Sequence, residues 1–428
     1  MLYSEKNSFL QTPRGQYGRY MYRLLKGRSY YCFDVEPKSK KSMKKSEKIL
    51  FQQDLLKKIK NLKRRAYRAP IVAEFIFNVT GNTPPFIHTV VKNYQDLFEK
   101  PLDKSINRKG LIYQNDKSIY GLSVRYHVRN NKPGIKASFR PFRDFLQDLE
   151  LANGILIDDC ENIRDEYPNR DDAVDGLQEF IEEKDKYIEA VGEEAYQSLL
   201  LSHRMIAQEE LLSGFNIGLR DLYDFYSPIF LKQKSSKKHL LQNRNGDLIS
   251  DHISKSIVNS SFRIQLPNVP TGKNEKIHFK KKVKLALNDF HQKYHFFRPL
   301  HIPVHLNIFY KPPKASKHFF KDLDNIMRMI VPIFNDIFEP PSTYGAIAKI
   351  DKIRYPQLYE SLKRLETEVP KSIRTSISGY DIFQMPRDDE DKSEGYLSAS
   401  FSSSRSNYRS LMFKSDDLIE KWYENCEI

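Results

Sequence analysis

The sequence predicts a mixed α/β (α+β) chain in which one α/β unit occurs twice, with an acidic helical insert between the copies. Three observations predict it. The strand-like stretch Ala69 to Phe77 aligns on His301 to Phe309 at an offset of 232, matching Val72 with Val304, Ile76 with Ile308 and Phe77 with Phe309. A helical stretch around Lys92 falls on one around Arg328 at offset 236, and Phe98-Glu99-Lys100-Pro101 falls on Phe338-Glu339-Pro340-Pro341 at offset 240. Between the copies, residues 141–200 hold five basic residues against eighteen acidic ones, a local net of −13 in a chain of formal charge +15. Loops or single helical turns absorb drifts of four residues, so the order of elements is kept.

In the first unit, Tyr31, Phe33 and Val35 alternate as a strand. A Lys-rich turn leads to a helix with Leu55, Leu56, Ile59 and Leu62 on one side, and the strand at 71–78 follows. Pro84-Pro85 precedes a helix whose Val90, Val91, Tyr94, Leu97 and Phe98 are apolar. A strand pair, Leu111 to Val128 and Ile135 to Phe139, is joined through Asn130-Asn131-Lys132-Pro133-Gly134. The second unit repeats this order: Phe262, Ile264 and Leu266 alternate, Lys280 to Tyr294 reads as a helix, and Val304 to Tyr310 reads as a strand. Pro312-Pro313 then precedes a helix from Asp324 to Phe338, whose core stripe is Ile326, Met329, Ile330, Ile333 and Ile337. Further on, Tyr355 to Glu368 reads as a helix, Tyr380 to Met385 and Gly395 to Phe401 as a hairpin, and Ser398 to Ser410 as loop. The expected divisions are units at 1–144 and 258–428, the insert at 145–231 and a polar connector at 232–257.

With 428 residues, 39% of them hydrophobic and 12% aromatic, the chain has the composition of folded domains and not of a disordered one. Outside residues 141–200 the charge is +28, and residues 38–68 alone hold thirteen Lys or Arg against Glu47 and Asp54. Such a surface attracts polyanions, although a charge run is also what a solvated helix carries. Candidate phosphate contacts are Lys38, Lys40, Lys41, Lys44, Lys45 and Lys92 in the first unit, and Lys273, Lys276, Lys280 and Lys281 in the second. Cys32, Cys160 and Cys426 form no close pair, which excludes a zinc ribbon or disulfide framework and fits a reducing compartment. No stretch approaches the roughly twenty apolar residues of a membrane span, and Met1 to Lys6 lacks the form of a secretion signal. The expectation is a cytoplasmic protein without a membrane partner.

Chemistry concentrates at Lys321-Asp322-Leu323-Asp324-Asn325-Ile326-Met327-Arg328. Two aspartates two residues apart at a strand-to-helix junction can converge oxygens on a hard cation, Mg²⁺ or Mn²⁺. Such an ion activates water and neutralises a phosphodiester, and Arg328, one turn from Asp324, would stabilise the same charge. The competing reading is local: an aspartate at a helix start is a cap worth about 1 kcal/mol, and an arginine at i+4 simply pairs with it.

The order strand, basic turn, helix, strand and Asp-Leu-Asp-Asn-x-x-Arg helix, followed by an acid-bearing strand, resembles the RusA family of Holliday junction resolvases. Asp322, Asp324, Asn325 and Arg328 carry the resemblance, which covers about 258–353; the family usually has lysine where Arg328 stands. The resemblance implies a homodimeric, Mg²⁺-dependent endonuclease fold, with the ion held by Asp322, Asp324 and a later aspartate. Asp351, in Ala348 to Ile353, is the nearest candidate for that third position and Asp381 is its rival. The first unit has Phe86 and His88 in place of Asp322 and Asp324, Lys92 in place of Arg328, and Asp96 one turn on. Its Leu111 to Ile119 looks like the acidic strand, with Asn115 replacing the first acid beside Asp116. His88 and Asp116 thus mark a degenerate site, poor for Mg²⁺.

The resulting expectation is a pseudo-dimer within one chain, open to further self-association, that cleaves branched or duplex DNA through its second unit. The alternative is a catalytically inactive DNA-binding or assembly protein on the same fold. A sugar-nucleotide transferase, where Asp-x-Asp also holds a metal, lacks supporting context. The acidic insert reads as a protein-partner module, a DNA-mimicking guard over the basic groove, or a helical spacer. Asp388-Asp389-Glu390-Asp391 reads as a solvent-facing patch.

Overall fold

The computed structural model describes residues 8–61, 65–80, 85–106, 108–128, 132–158, 170–213, 217–236, 262–270, 275–294, 300–312, 322–338, 377–386, 395–403 and 410–426, with 297, 352, 353, 356 and 359. They build an α/β structure around one eight-stranded mixed sheet. In chain order, the first half runs α1 (Pro13–Gly27), β1 (Ser29–Phe33), α2 (Lys45–Asn61), β2 (Ile71–Val79), α3 (Ile87–Glu99), a 3₁₀ turn (Asp116–Ser118), β3 (Ile119–Val128), β4 (Gly134–Pro141) and α4 (Phe142–Asp158). Four helices follow: α5 (Arg170–Glu182), α6 (Lys184–Val191), α7 (Glu193–Ser213) and α8 (Ile217–Ser236). The second half runs β5 (Arg263–Gln265), α9 (Glu275–Lys293), β6 (Val304–Lys311), α10 (Leu323–Ile337), β7 (Ile377–Gln384), β8 (Tyr396–Ser403) and α11 (Leu411–Cys426). No described helix is long and apolar enough to cross a membrane.

The strand order β1-β4-β2-β3-β7-β6-β8-β5 reads the same from both ends once β1, β4, β2 and β3 are matched with β5, β8, β6 and β7 respectively. In each half the central strand runs parallel to the seam strand and antiparallel to its outer neighbour. The irregularities also match: the parallel ladder slips between Ile71 and Val72 in one half and between Val304 and His305 in the other. The halves meet along the antiparallel pair β3·β7, where Ser123 stands opposite Asp381. The flanking pairs, Gly121 with Phe383 and Arg125 with Gly379, exchange when the halves are exchanged. Gly379 is required here, because a Cβ would lie 2.5 Å from the His305 ring and 2.8 Å from the Val124 carbonyl.

This match sets the true internal register at 233, not 232, with Ile71, Phe75 and Phe77 equivalent to Val304, Ile308 and Tyr310. The offset of 232 pairs Val72, which packs on one side of the sheet, with Val304, which packs on the other. A one-residue slip moves every side chain to the opposite face. Two further expectations are corrected. Neither β3 and β4 nor β7 and β8 form a hairpin, since β2 and β6 insert between them. Nor is the start of the Ser-rich stretch a loop: Tyr396–Ser403 is a strand held on both edges, with Ser398, Ser400 and Ser402 buried.

The core divides by sheet face. The alternate residues Ile71, Ala73, Phe75 and Phe77 of β2 meet α2 and α3, and Val304, Leu306, Ile308 and Tyr310 of β6 meet α9 and α10. Phe98 of α3 is fully buried against Tyr31, Phe33, Phe51, Phe75 and Phe139. Truncating such a ring costs about 3–5 kcal/mol. On the opposite face, α1, α4, α8 and α11 pack through Tyr20, Phe145, Tyr226 and Ile419. Buried ion pairs bind that layer to the sheet: Arg140 of β4 reaches Asp148 of α4 at 3.3 Å and Asp416 of α11 at 3.0 Å. The expected insert is helical, but it is no detached spacer. Its boundary at 145 falls inside α4, and Leu219 and Leu222 of α8 are part of the core. Residues 237–261, Tyr355, 360–368 and 387–394, and with them most of the connector and the patch Asp388 to Asp391, lie outside the described residues.

Candidate metal centre

The first residues of α10 open onto the helix layer beside α3. Asp322 is the N-cap, yet its side chain makes no capping bond; Asp322 Oδ2 instead accepts from the Asn325 side chain at 3.0 Å. Nor does an ion pair join Asp324 to Arg328 among the described residues. Both local explanations for the motif therefore fail. Asp324 is 1% exposed, and its carboxylate meets the Lys92 ammonium of α3 at 3.5 Å, with no shorter hydrogen bond among the described residues. The buried face of α10 is also wider than the expected stripe, taking in Met327, Val331 and Phe334, while Met329 and Ile337 are only half-buried.

The partner acids come from the other half of the chain. Asp116, Asp322 and Asp324 present carboxylate oxygens all within 4.8 Å of one another, a group that could hold a metal ion. Asp116 starts the 3₁₀ turn before β3, whose Asn115 cap accepts from the Lys117 N–H at 2.9 Å. The preceding loop is tied to α3 through Leu111 N–H to Glu99 O at 2.8 Å and Tyr113 Oη to Gln95 O at 2.8 Å. Lys92 of α3 enters the same cluster, its Nζ 3.0 Å from Asp116 and 3.5 Å from Asp324, with Asp96 at 3.4 Å. Asp96 also takes Lys40 at 2.6 Å.

Burial, reinforced by Asp116 and Asp324, pushes the Asp322 carboxyl up to about 6. Burial raises Asp324 as well, against the pull of Lys92. For Lys92 burial works against the ammonium, but Asp324 and Asp116 outweigh it and hold its pKa above the ordinary value. Three carboxylates facing one ammonium leave an excess of two negative charges in a largely buried place when all are ionised. A divalent cation matches that excess, and oxygen donors suit a hard ion.

Among the described residues, the pseudo-twofold mate of this centre lacks both helix-start acids. Phe86 takes the N-cap position of α3 that Asp322 takes on α10, and His88 stands where Asp324 does. As Lys92 reaches across to Asp324, so Arg328 acts across on His88: burial, then the Arg328 charge, lowers His88 to about 4. The His88 ring packs on Phe86 with centroids 5.7 Å apart. The sequence-based grouping is thus rearranged. Asp116 and Lys92 do not belong with His88 but complete the centre of Asp322 and Asp324, while exposed Arg328 faces the His88 side. Asp381 lies on the opposite face of the sheet, 3.3 Å from His305 and accepting from the Leu411 N–H at 3.0 Å, so it is no third ligand. Asp351 lies outside the described residues. The sequence singles out Asp116 through its likeness to the acidic strand, but assigns it to the first unit's site beside His88 instead of to Asp322 and Asp324.

The lysines sort by position. Lys41, Lys44 and Lys45 are exposed on the turn into α2, and Lys276, Lys280 and Lys281 are exposed on α9. Both elements share a sheet face with the acidic centre. Lys38 pairs with Glu47 at 2.6 Å, and its backbone carbonyl accepts from Asn93 of α3. Lys273 lies outside the described residues. No family model, curated protein or solved structure matches the chain.

Proposed function

We propose that the chain is a divalent-metal-dependent endonuclease acting on branched or duplex DNA, of the kind the RusA-like motif implies, with one acidic centre shared between its halves. The observation that carries this reading is the cluster of Asp116, Asp322 and buried Asp324, whose carboxylate oxygens lie within 4.8 Å of one another. Those three carboxylates would hold Mg²⁺ or Mn²⁺, which when bound supplies phosphodiester charge neutralisation and a water of lowered pKa. Lys92, anchored on Asp116, is within reach of a phosphate at the same centre and would stabilise its developing charge. Exposed lysines on the turn into α2 and on α9 would track the flanking backbone. The test is cleavage of a four-way junction and of linear duplex with Mg²⁺ or Mn²⁺ by the parent, Asp116→Asn and Asp324→Asn. Metal-dependent cutting lost in both variants supports the reading; no metal-dependent cutting by the parent overturns it.

One observation favours a second reading, a DNA-binding protein without turnover. Lys92 Nζ already stands among the acids, where it offsets part of their charge without any metal. Salt-sensitive junction binding with no cleavage under either ion would decide for it.

A further inference from the structure

A groove of about 740 Å³ lies on the other side of the sheet, between α1, α4 and the end of α11. Its walls carry four arginines and a single carboxylate, Asp144. Two of the guanidiniums are committed: Arg19 donates to the Leu10 carbonyl at 2.7 Å and Arg23 to Asp148 at 2.7 Å. Arg14 and Arg143 are exposed on the first turns of α1 and α4, with no hydrogen bond or ion pair of theirs among the described residues, though the Arg143 charge acts on Asp144. Four aromatic rings, Phe9, Tyr17, Tyr22 and Tyr423, line it beside Leu10, Gln147 and two glycines. Tyr17 and Tyr423 stack at 3.8 Å with their planes 2° apart, and Tyr22 is 67% exposed.

Gly18 adds an independent observation. It sits inside α1 on the groove wall, where glycine costs about 0.5–1 kcal/mol relative to alanine. A Cβ there would meet nothing within 4 Å, so no packing contact of the protein explains the missing side chain. A backbone kept bare beside a groove suits a ligand that approaches closely. Flat π-faces beside free guanidiniums match a base joined to a phosphate.

We propose that this groove binds a nucleotide, its base on the Tyr17–Tyr423 stack and its phosphate on Arg14 and Arg143. The source is either a single strand or a free mononucleotide. The groove is independent of the acidic centre, which lies on the opposite face, so the two assignments stand or fall separately.

The test is photo-crosslinking of the full chain in EDTA, which silences any metal-dependent cutting, with 5-iodouracil-substituted oligodeoxythymidylate and with 5-iodo-dUMP, adducts being mapped by peptide mass spectrometry. Adducts are expected at Tyr17, Tyr22 or Tyr423, reduced by about tenfold in Arg14→Ala/Arg143→Ala. Gly18→Ala keeps or raises the melting temperature while weakening the same adducts, which covers the case of a double variant that fails to fold. Adducts with the oligonucleotide alone identify a strand site, and adducts with the monomer alone a free-nucleotide site. Adducts found only elsewhere, or undiminished in a folded double-arginine variant, overturn the proposal.

Discussion

The two helix starts that face each other across the seam, α10 and α3, occupy equivalent places and carry opposite chemistry. One presents Asp322 and Asp324 to a lysine from the opposite half; the other presents Phe86 and His88 to an arginine from the opposite half. The basic residue survives on both sides, and only the acids differ. The scaffold therefore needs neither aspartate: the strand order, the ladder slips and the helix packing are kept where the acids are absent. Asp324 is buried with the Lys92 ammonium of the opposite half 3.5 Å away, and the α3 side keeps the same framework without either acid.

Four experiments break or sharpen that contrast. The largest effect expected is from Asp324→Asn, which should lower metal-dependent DNA cleavage by at least about a hundredfold while His88→Asn leaves it within a fewfold. Equal losses in both variants would erase the distinction. Next is acid sensitivity. His88 and His301 are each depressed to about 4 from an ordinary 6.5, chiefly by burial. Their neutral forms contribute stability that is full above pH 6.5 and falls as the pH drops toward 4, because the unfolded chain binds more protons in that window. Urea melts at pH 7 and pH 5 should differ by on the order of 2 kcal/mol for His301, with a shallower dependence in His301→Phe. Third, Lys92→Met removes the ammonium that competes for the acids, so Mn²⁺ binding followed by electron paramagnetic resonance should tighten about tenfold. Unchanged affinity would show that Lys92 does not share the ion's place. Smallest is the gain in Phe86→Asp/His88→Asp, which should add a second, weaker Mn²⁺ per chain; an unchanged stoichiometry would show that the twofold does not extend to the metal geometry.

Much of the fold was legible because it is local. The apolar spacing of Val90, Val91, Tyr94, Leu97 and Phe98 gives α3, and the apolar run from Val304 gives β6, whatever lies around them. What escaped depends on pairing between distant segments. Central strands buried on both faces are apolar at every position, so matching Val72 to Val304 looked as good as the true register one residue away. The strand at β8 is legible from Gly395 to Phe401, but its equivalence to β4, which a better repeat would have exposed, is not. Ala137-Ser138-Phe139 and Ala399-Ser400-Phe401 occupy equivalent positions on β4 and β8, and this tripeptide identity was present in the sequence. The two acids of the motif lie side by side as their spacing implied, while the carboxylate and the ammonium that join them come from more than two hundred residues upstream. No spacing rule reaches that far; only the symmetry of the seam does.

A homodimer must carry both of its interfacial sites or neither, since every substitution is written twice. Because the β3·β7 seam joins two halves of a single polypeptide, a change at Phe86 leaves Asp322 untouched, and lopsidedness becomes heritable. A symmetric ligand laid across that seam would meet Asp322 and Asp324 under one half and Phe86 and His88 under the other.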